Sequence, residues 1–209
     1  MKLGIIGTAG RKEDLERLNP DMFGRMCEQT ELLIRALRSN GETVDGLVSG
    51  GAAWADHVAV FLFLRGEQSS IPGDLTLSLH TPSEWDSRKD RYVENRDGHT
   101  ANFHHDNFQL KTGIPSLRQI RESMSSERAF VASGGGFRAR NQKIAEEADV
   151  LLAMTFGQGS AVKPKSGTED TVRKYAALGK TRLFHLDLNT MRLWENLSVD
   201  GRNEVPKQE

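Results

Sequence analysis

Residues 149–154 read DVLLAM. This unbroken apolar run is too short for a buried helix and carries no alternation, so it predicts a strand covered on both faces, as in a parallel sheet. Working outward from it, residues 137–147 (FRARNQKIAEE) read as a helix. A loop ending in Ser166-Gly167-Thr168 leads to a second helix over 168–178, stopped by Gly179, and 181–187 (TRLFHLD) form a last strand. The same rhythm runs through the first third of the chain. Residues 2–7 (KLGIIG) are a short apolar strand. Residues 21–39 follow helical periodicity, with Met22, Met26, Leu33, Ala36 and Leu37 near one face and a stop at Asn40-Gly41. Residues 44–49 (VDGLVS) make a second strand that runs into Gly50-Gly51. Residues 53–65 make a helix apolar nearly all round, whose 58–64 segment suits a core or an interface equally. Residues 74–80 (DLTLSLH) make a third strand, ended by Pro82. This alternation predicts an α/β protein: a Rossmann-like open parallel sheet of about five strands with helices on both faces.

Residues 86–136 break the rhythm. They are polar, rich in Arg, Asp, Asn and His, and end in Ser133-Gly134-Gly135-Gly136. They read as an insertion into a single domain over 1–187, with one helix around 115–128. Residues 188–209 read as a polar, partly frayed tail. The chain has 209 residues, 37% of them hydrophobic, and a net charge of −1, so no overall charge directs it to nucleic acid or an anionic membrane. The lone Cys27 sits in a helical apolar pattern and reads as a core residue, which excludes an intramolecular disulfide or a cysteine-rich zinc site. No apolar stretch has the ~18 residues of a membrane span. The expected setting is cytoplasmic.

The functional signal lies in the turn after each strand. Gly7-Thr8-Ala9-Gly10-Arg11 come after the first, Ser49-Gly50-Gly51-Ala52 after the second, and Ser166-Gly167-Thr168 open the helix after 149–154. In a parallel sheet these turns share the carboxyl edge, where open α/β folds bind ligands. Small residues there let backbone amides approach an anion, and a helix start adds favourable partial charge. They are equally the residues of ordinary tight turns and caps. Neither G-x-G-x-x-G nor G-x-x-x-x-G-K-[ST] occurs, which argues against an ordinary dehydrogenase or P-loop NTPase.

The ordered set G-x-x-G-R (Gly7 to Arg11), S-G-G-A-x-x-A-D (Ser49 to Asp56), P-x-E-W (Pro82 to Trp85), Arg140-Asn141, Asp149 and Ser166 to Thr168 resembles the SLOG superfamily. These are Rossmann-like proteins related to the DprA and LOG families, and the likeness is nearest to the YspA-like branch. It covers 1–85 and 137–187. The resemblance implies a nucleotide or nucleotide-sugar ligand, of ADP-ribose, NAD-derived or nucleoside monophosphate type, held by a homo-oligomer. It also raises hydrolysis of N-glycosidic bonds. The glutamate that LOG-type members place three residues after the G-T threonine is Thr171 here, with Glu169 and Asp170 out of register.

Candidate binding residues are therefore Gly7, Thr8, Ala9, Arg11, Ser49, Gly50, Gly51, Trp54, Arg140, Asn141, Ser166, Gly167 and Thr168. Arginine can clamp a phosphate in a bidentate fashion, and Trp54 can stack on a base or pack against the insertion. In an enzyme, Asp56, Glu169 and Asp170 are the candidate catalytic carboxylates, although acids in a first helical turn also stabilise any helix. Lys163 and Lys165 could add charge beside a phosphate. Gly134 to Gly136 could be a hinge or a fourth phosphate loop. His99, His104, His105 and Asp106 cluster without a metal-site spacing, so neither a metal nor a cofactor is expected. The readings that compete are a nucleotide sensor or sequestering protein, an N-glycosidic-bond enzyme (nucleotide hydrolase or deoxyribosyltransferase), and DprA-like nucleic-acid binding. The last rests on Arg88, Lys89, Arg91, Arg96, Arg118, Arg121 and Arg128, which acids intersperse.

Overall fold

A computed structural model describes residues 1–66 and 74–195. Seven strands form one sheet: β1 (Lys2–Gly7), β2 (Gly46–Ser49), β3 (Thr76–Thr81), β6 (Ala129–Ser133), β7 (Val150–Thr155), β8 (Leu183–Asp187) and β9 (Arg192–Glu195). Their order is β6-β3-β2-β1-β7-β8-β9, and only β9 runs antiparallel. The fold is the expected Rossmann-like α/β arrangement, with two more strands than the sequence suggested. β9 lies in the segment read as a tail and pairs Arg192–Glu195 against β8. The rest of that tail, 196–209, lies outside the described residues.

The second extra strand, β6, falls inside the segment read as an insertion and pairs in parallel with β3 from Leu77↔Ala129 to Thr81↔Ser133. The segment also carries a two-stranded β4 (Trp85–Asp86) and β5 (Arg91–Tyr92), and two helices, α4 (Arg96–Thr112) and α5 (Ser116–Met124). It is thus the long connection between two neighbouring strands of the sheet. The helix expected around 115–128 is α5. The expectation missed α4 because its mixed Asn, His and Asp composition carries little amphipathic pattern.

Alternate residues of the central strands face opposite layers. Ile5, Leu152 and Met154 point into the larger apolar cluster, beneath α2 (Pro20–Ser39), α3 (His57–Arg65), α4 and α5. Ile6, Leu151 and Ala153 point into a smaller one, beneath α6 (Gly136–Glu147) and α7 (Gly167–Ala177). α2 begins where Asn19 caps the amide of Met22 and Pro20 occupies the first turn. A short α1 (Glu13–Arg17) precedes it. Val58, Ala59, Val60, Leu62 and Phe63 of α3 are all buried, so this segment is core. Cys27 is buried too, and burial pushes its thiol up to about 12.

Candidate functional site

From β1 the chain builds the sheet outward through β2 and β3 to β6, then returns to β7 on the other side of β1 and continues to β8. The order therefore reverses between β1 and β7. The connections leaving these two strands diverge to opposite faces, which opens a crevice at their carboxyl ends. A cleft of about 410 Å³ lies there. Gly7, Thr8, Ala9 and Arg11 of the first turn line it, as do Ser166, Gly167 and Thr168 at the start of α7, with Asp56 and Arg140 between them.

Gly7 is at this point for steric reasons. A Cβ on it would lie 2.1 Å from the Met154 carbonyl oxygen, so β1 and β7 could not approach. The Thr8 hydroxyl donates to Asp14 Oδ2 (2.9 Å) and accepts from the Gly10 amide. Lys163 donates to Asp14 Oδ1 (2.7 Å) and Glu13 Oε1 (2.8 Å). This lysine ties the loop after β7 to the start of α1, and its carboxylate partners raise its pKa. Thr8 and Lys163 hold the floor of the cleft and are already engaged within the protein.

At α7 the Ser166 hydroxyl accepts from the Glu169 amide (3.1 Å), and Glu169 Oε2 accepts from the Lys165 amide (2.7 Å). This reciprocal cap uses both side chains. Asp170 accepts from Lys174 (2.7 Å) and from Asn141 Nδ2 (3.0 Å), which fastens α7 to α6. Burial would raise the Asp170 pKa, but these two donors hold it below its ordinary value. Glu169 and Asp170 do not line the cleft, so of the three candidate carboxylates only Asp56 does. What α7 presents is the first-turn amides of Gly167 and Thr168, which by helix geometry have no intrahelical acceptor. Gly167 has open space: the nearest atom to a Cβ there would be Asn141 Nδ2, at 3.8 Å.

Asp56 stands immediately before α3 without capping it. Its Oδ1 instead accepts from the Gly7 amide (3.1 Å), while Ser49 Oγ holds the Asp56 carbonyl (2.9 Å). Burial raises the Asp56 pKa, opposed by Arg140 and backbone amides. Oδ2 has no hydrogen-bond partner among the described residues. The Arg140 guanidinium approaches it only to 3.9 Å, an ion pair without a hydrogen bond. Gly50 leaves the room for this approach, since a Cβ there would sit 2.7 Å from both groups. Arg140 Nε and Nη2 donate to Asn141 Oδ1 (3.3 and 3.2 Å), and its Nη1 is buried without a partner. Arg11 and Arg140 each lie 5.3 Å from the centre of the Phe137 ring.

Ser49, Gly50, Gly51, Trp54 and Asn141 support the cleft without lining it. The Gly51 carbonyl accepts from Tyr92 Oη (3.0 Å) and His105 Nε2 (2.9 Å), away from the cleft; Ala52 and Ala53 line it in its place. Trp54 is fully buried and packs edge-on against Phe108 of α4, so the packing alternative holds and no ring face is left for a base. Sequence reasoning did not single out Phe137 or the α4 wall of Ala101 and His104 as cleft residues. The only available signal was the helical spacing from 97 through 101 to 104, within a segment whose helix was not recognised.

Of the clustered histidines, His104 lines the cleft, His105 lies in the core, and Asp106 pairs with Arg91 (2.8 Å). No group of three or more His, Cys, Asp or Glu among the described residues is arranged to hold a metal ion. Gly134, Gly135 and Gly136 all have positive φ and open α6. A Cβ on Gly136 would lie 2.5 Å from Asp97 Oδ2, so a carboxylate stands beside that helix start without capping it. Arg91, Arg118 and Arg121 are committed to Asp106, Glu122 and Asp90. No described helix is long and apolar enough to cross a membrane.

Fold and cleft together define a Rossmann-like α/β protein with a crevice at the strand-order reversal. No family model matches the chain. It is 36% identical over 175 residues to "Uncharacterized protein R261" of Acanthamoeba polyphaga mimivirus, an alignment spanning 83% of this chain and 90% of the viral one. The chain belongs to the same family as that viral protein.

Proposed function

We propose that this protein binds a phosphate-bearing nucleotide or nucleotide-sugar in the β1/β7 crevice, as a sensor or sequestering protein. The observation that carries the reading is that the open amides of Gly167 and Thr168 share one cleft with the Arg11 and Arg140 guanidiniums. Helix-start amides and guanidiniums are the two groups best suited to hold a phosphate. The likeness to the SLOG superfamily, with its nucleotide ligands, supports the same reading. Calorimetry with ADP-ribose, NAD, cyclic ADP-ribose isomers and nucleoside monophosphates tests it. Binding of one of these tighter than about 1 mM is expected, and none binding at that level removes the proposal.

One observation favours a second reading, hydrolysis or transfer at an N-glycosidic bond. Asp56 lies in the cleft with one carboxylate oxygen free of hydrogen bonds and a raised pKa. Such a group can donate a proton to a leaving base, or when ionised stabilise an oxocarbenium-like ribosyl centre. Chromatography for released base from nucleoside monophosphates decides it. Turnover in the wild type that Asp56→Asn abolishes is the expected pattern of an enzyme.

A further inference from the structure

The Arg11 and Arg140 guanidiniums converge on a single phenyl ring, and the two cations repel one another. Burial lowers the Arg11 pKa, and the closeness of Arg140 lowers it further. Asp56 and Asp97 lie close enough to oppose that lowering, but neither hydrogen-bonds a guanidinium, and Asp56 reaches Arg140 only at 3.9 Å. Glu13 and Asp14 are engaged by Lys163. Arg140 Nη1 is buried without a partner, while Arg11 is exposed at the mouth of the cleft and its side chain makes no hydrogen bond or ion pair among the described residues. A buried charged donor such as Nη1 left unmatched is costly, so a protein retains one where a ligand completes it.

This cationic pair is separate from the open amides of α7 yet close to them. Arg140 donates to Asn141 Oδ1, and Asn141 Nδ2 donates to the Gly167 carbonyl oxygen (3.2 Å). One asparagine amide thus stands between the guanidinium and the first residue of α7. From α4, His104 closes the guanidinium side. It is nine-tenths buried, with Nδ1 unpartnered, and burial beside Arg11 lowers its pKa to about 4, so it is neutral at pH 7.

We infer that the crevice holds two adjacent anion positions, one at the α7 amides and one between Arg11 and Arg140 under His104, and that its ligand carries two linked phosphates. This rests on the proposed nucleotide binding and narrows its range of mono- and diphosphate ligands to those with two linked phosphates. A single phosphate occupies one position and leaves the other cations unmatched, whereas a diphosphate meets both at no further cost in ligand immobilisation.

The test is calorimetry on the full chain with AMP, ADP, inorganic phosphate and inorganic pyrophosphate, repeated on R11Q. Arg11 lies at the rim, so R11Q should leave the fold intact, and a circular dichroism melt checks this. ADP should bind at least about tenfold tighter than AMP, and pyrophosphate should outbind phosphate by a similar factor. R11Q should shrink both ratios to about twofold or less, because it weakens ADP and pyrophosphate more than AMP and phosphate. If AMP and ADP bind the wild type equally, the two-position inference fails and the nucleotide reading stands. If R11Q weakens AMP and ADP alike, the arginine pair serves a single position and the inference fails as well. If no nucleotide binds, the broader reading fails and takes this one with it.

Discussion

Gly7 and Gly167 both line the cleft, and a methyl group added to each has opposite consequences. At Gly7 it meets the Met154 carbonyl oxygen at 2.1 Å and Ala55 Cβ at 2.6 Å, both fixed by the sheet and the turn before α3. Gly7→Ala should therefore destabilise by about 2 kcal/mol or more, lowering the melting temperature by roughly 5 °C or more. At Gly167 the methyl meets nothing closer than 3.8 Å, at a helical position that alanine favours. Gly167→Ala should leave the melt unchanged or raise it slightly. It should weaken nucleotide binding about tenfold, because the methyl stands where a phosphate approaches the amides. A melt of both variants with calorimetry of the second checks the pair. Full binding by Gly167→Ala would mean that the α7 start is only a cap. Both glycines looked alike in the sequence, as small residues after a strand. Only the strand spacing reveals that one is demanded by the sheet and the other is not.

The layer formed by α3, α4 and α5 encloses two imidazoles besides the His104 of the cleft. His57 is enclosed by Phe23, Phe108 and His105, and its Nε2 donates to Gln119 Oε1 (2.7 Å). His105 donates from Nε2 to the Gly51 carbonyl and accepts at Nδ1 from Ser116. Burial lowers their pKa values to about 4 and about 3. The unfolded chain therefore takes up protons near pH 6.5 that the folded chain refuses. Stability is complete above that pH and is lost as pH falls towards 4. At pH 5 the loss should be about 2 kcal/mol for each imidazole. Asp56, raised rather than lowered, opposes this, since lower pH relieves its buried charge. Burial would raise Glu147, but Lys2, Ser78 and His80 hold it down to about 2, so it adds to the loss only below about pH 4.5. Urea unfolding at pH 7 and pH 5 reads the loss, and His57→Gln should reduce the difference by about 2 kcal/mol whatever its own stability, leaving the shares of the other buried imidazoles. An equal difference in the variant would assign the pH effect elsewhere. The elements with an unbroken apolar run or a clear helical period, β1, β7, α2 and α7, were legible in the sequence to within a residue or two. α4 was not, because its inward positions include Gly98, Asn102 and His105, which satisfy hydrogen bonds in the core and do not spell an apolar stripe.

Across the whole molecule, the sequence conveyed the reversal of strand order only indirectly, through loops of small residues after alternate strands. It hid the fact that 86–136 belongs to the sheet. β6 is a five-residue strand whose outward Phe130 and partly covered Val131 give no clear alternation. A polar segment without a family counterpart therefore read as an appendage, and structure and stability divide on that point. An appended lid could be removed with little effect. This segment supplies an edge strand, Phe108 against Trp54 and Phe23, Ile120 at the core, and the Tyr92 and His105 bonds that fix Gly51. Loss of Phe108 alone should cost about 3–5 kcal/mol, a large share of the roughly 5–15 kcal/mol that holds a typical domain folded. Replacing 93–128 with a short flexible linker should therefore abolish cooperative unfolding and expose the α3 face, giving broad melts and dye binding. Phe108→Ala should fold with its melting temperature lowered by roughly 10 °C. A linker variant that melts sharply near the wild-type temperature would show that sheet and helices close without this connection, and that α4 is a removable cover over the cleft.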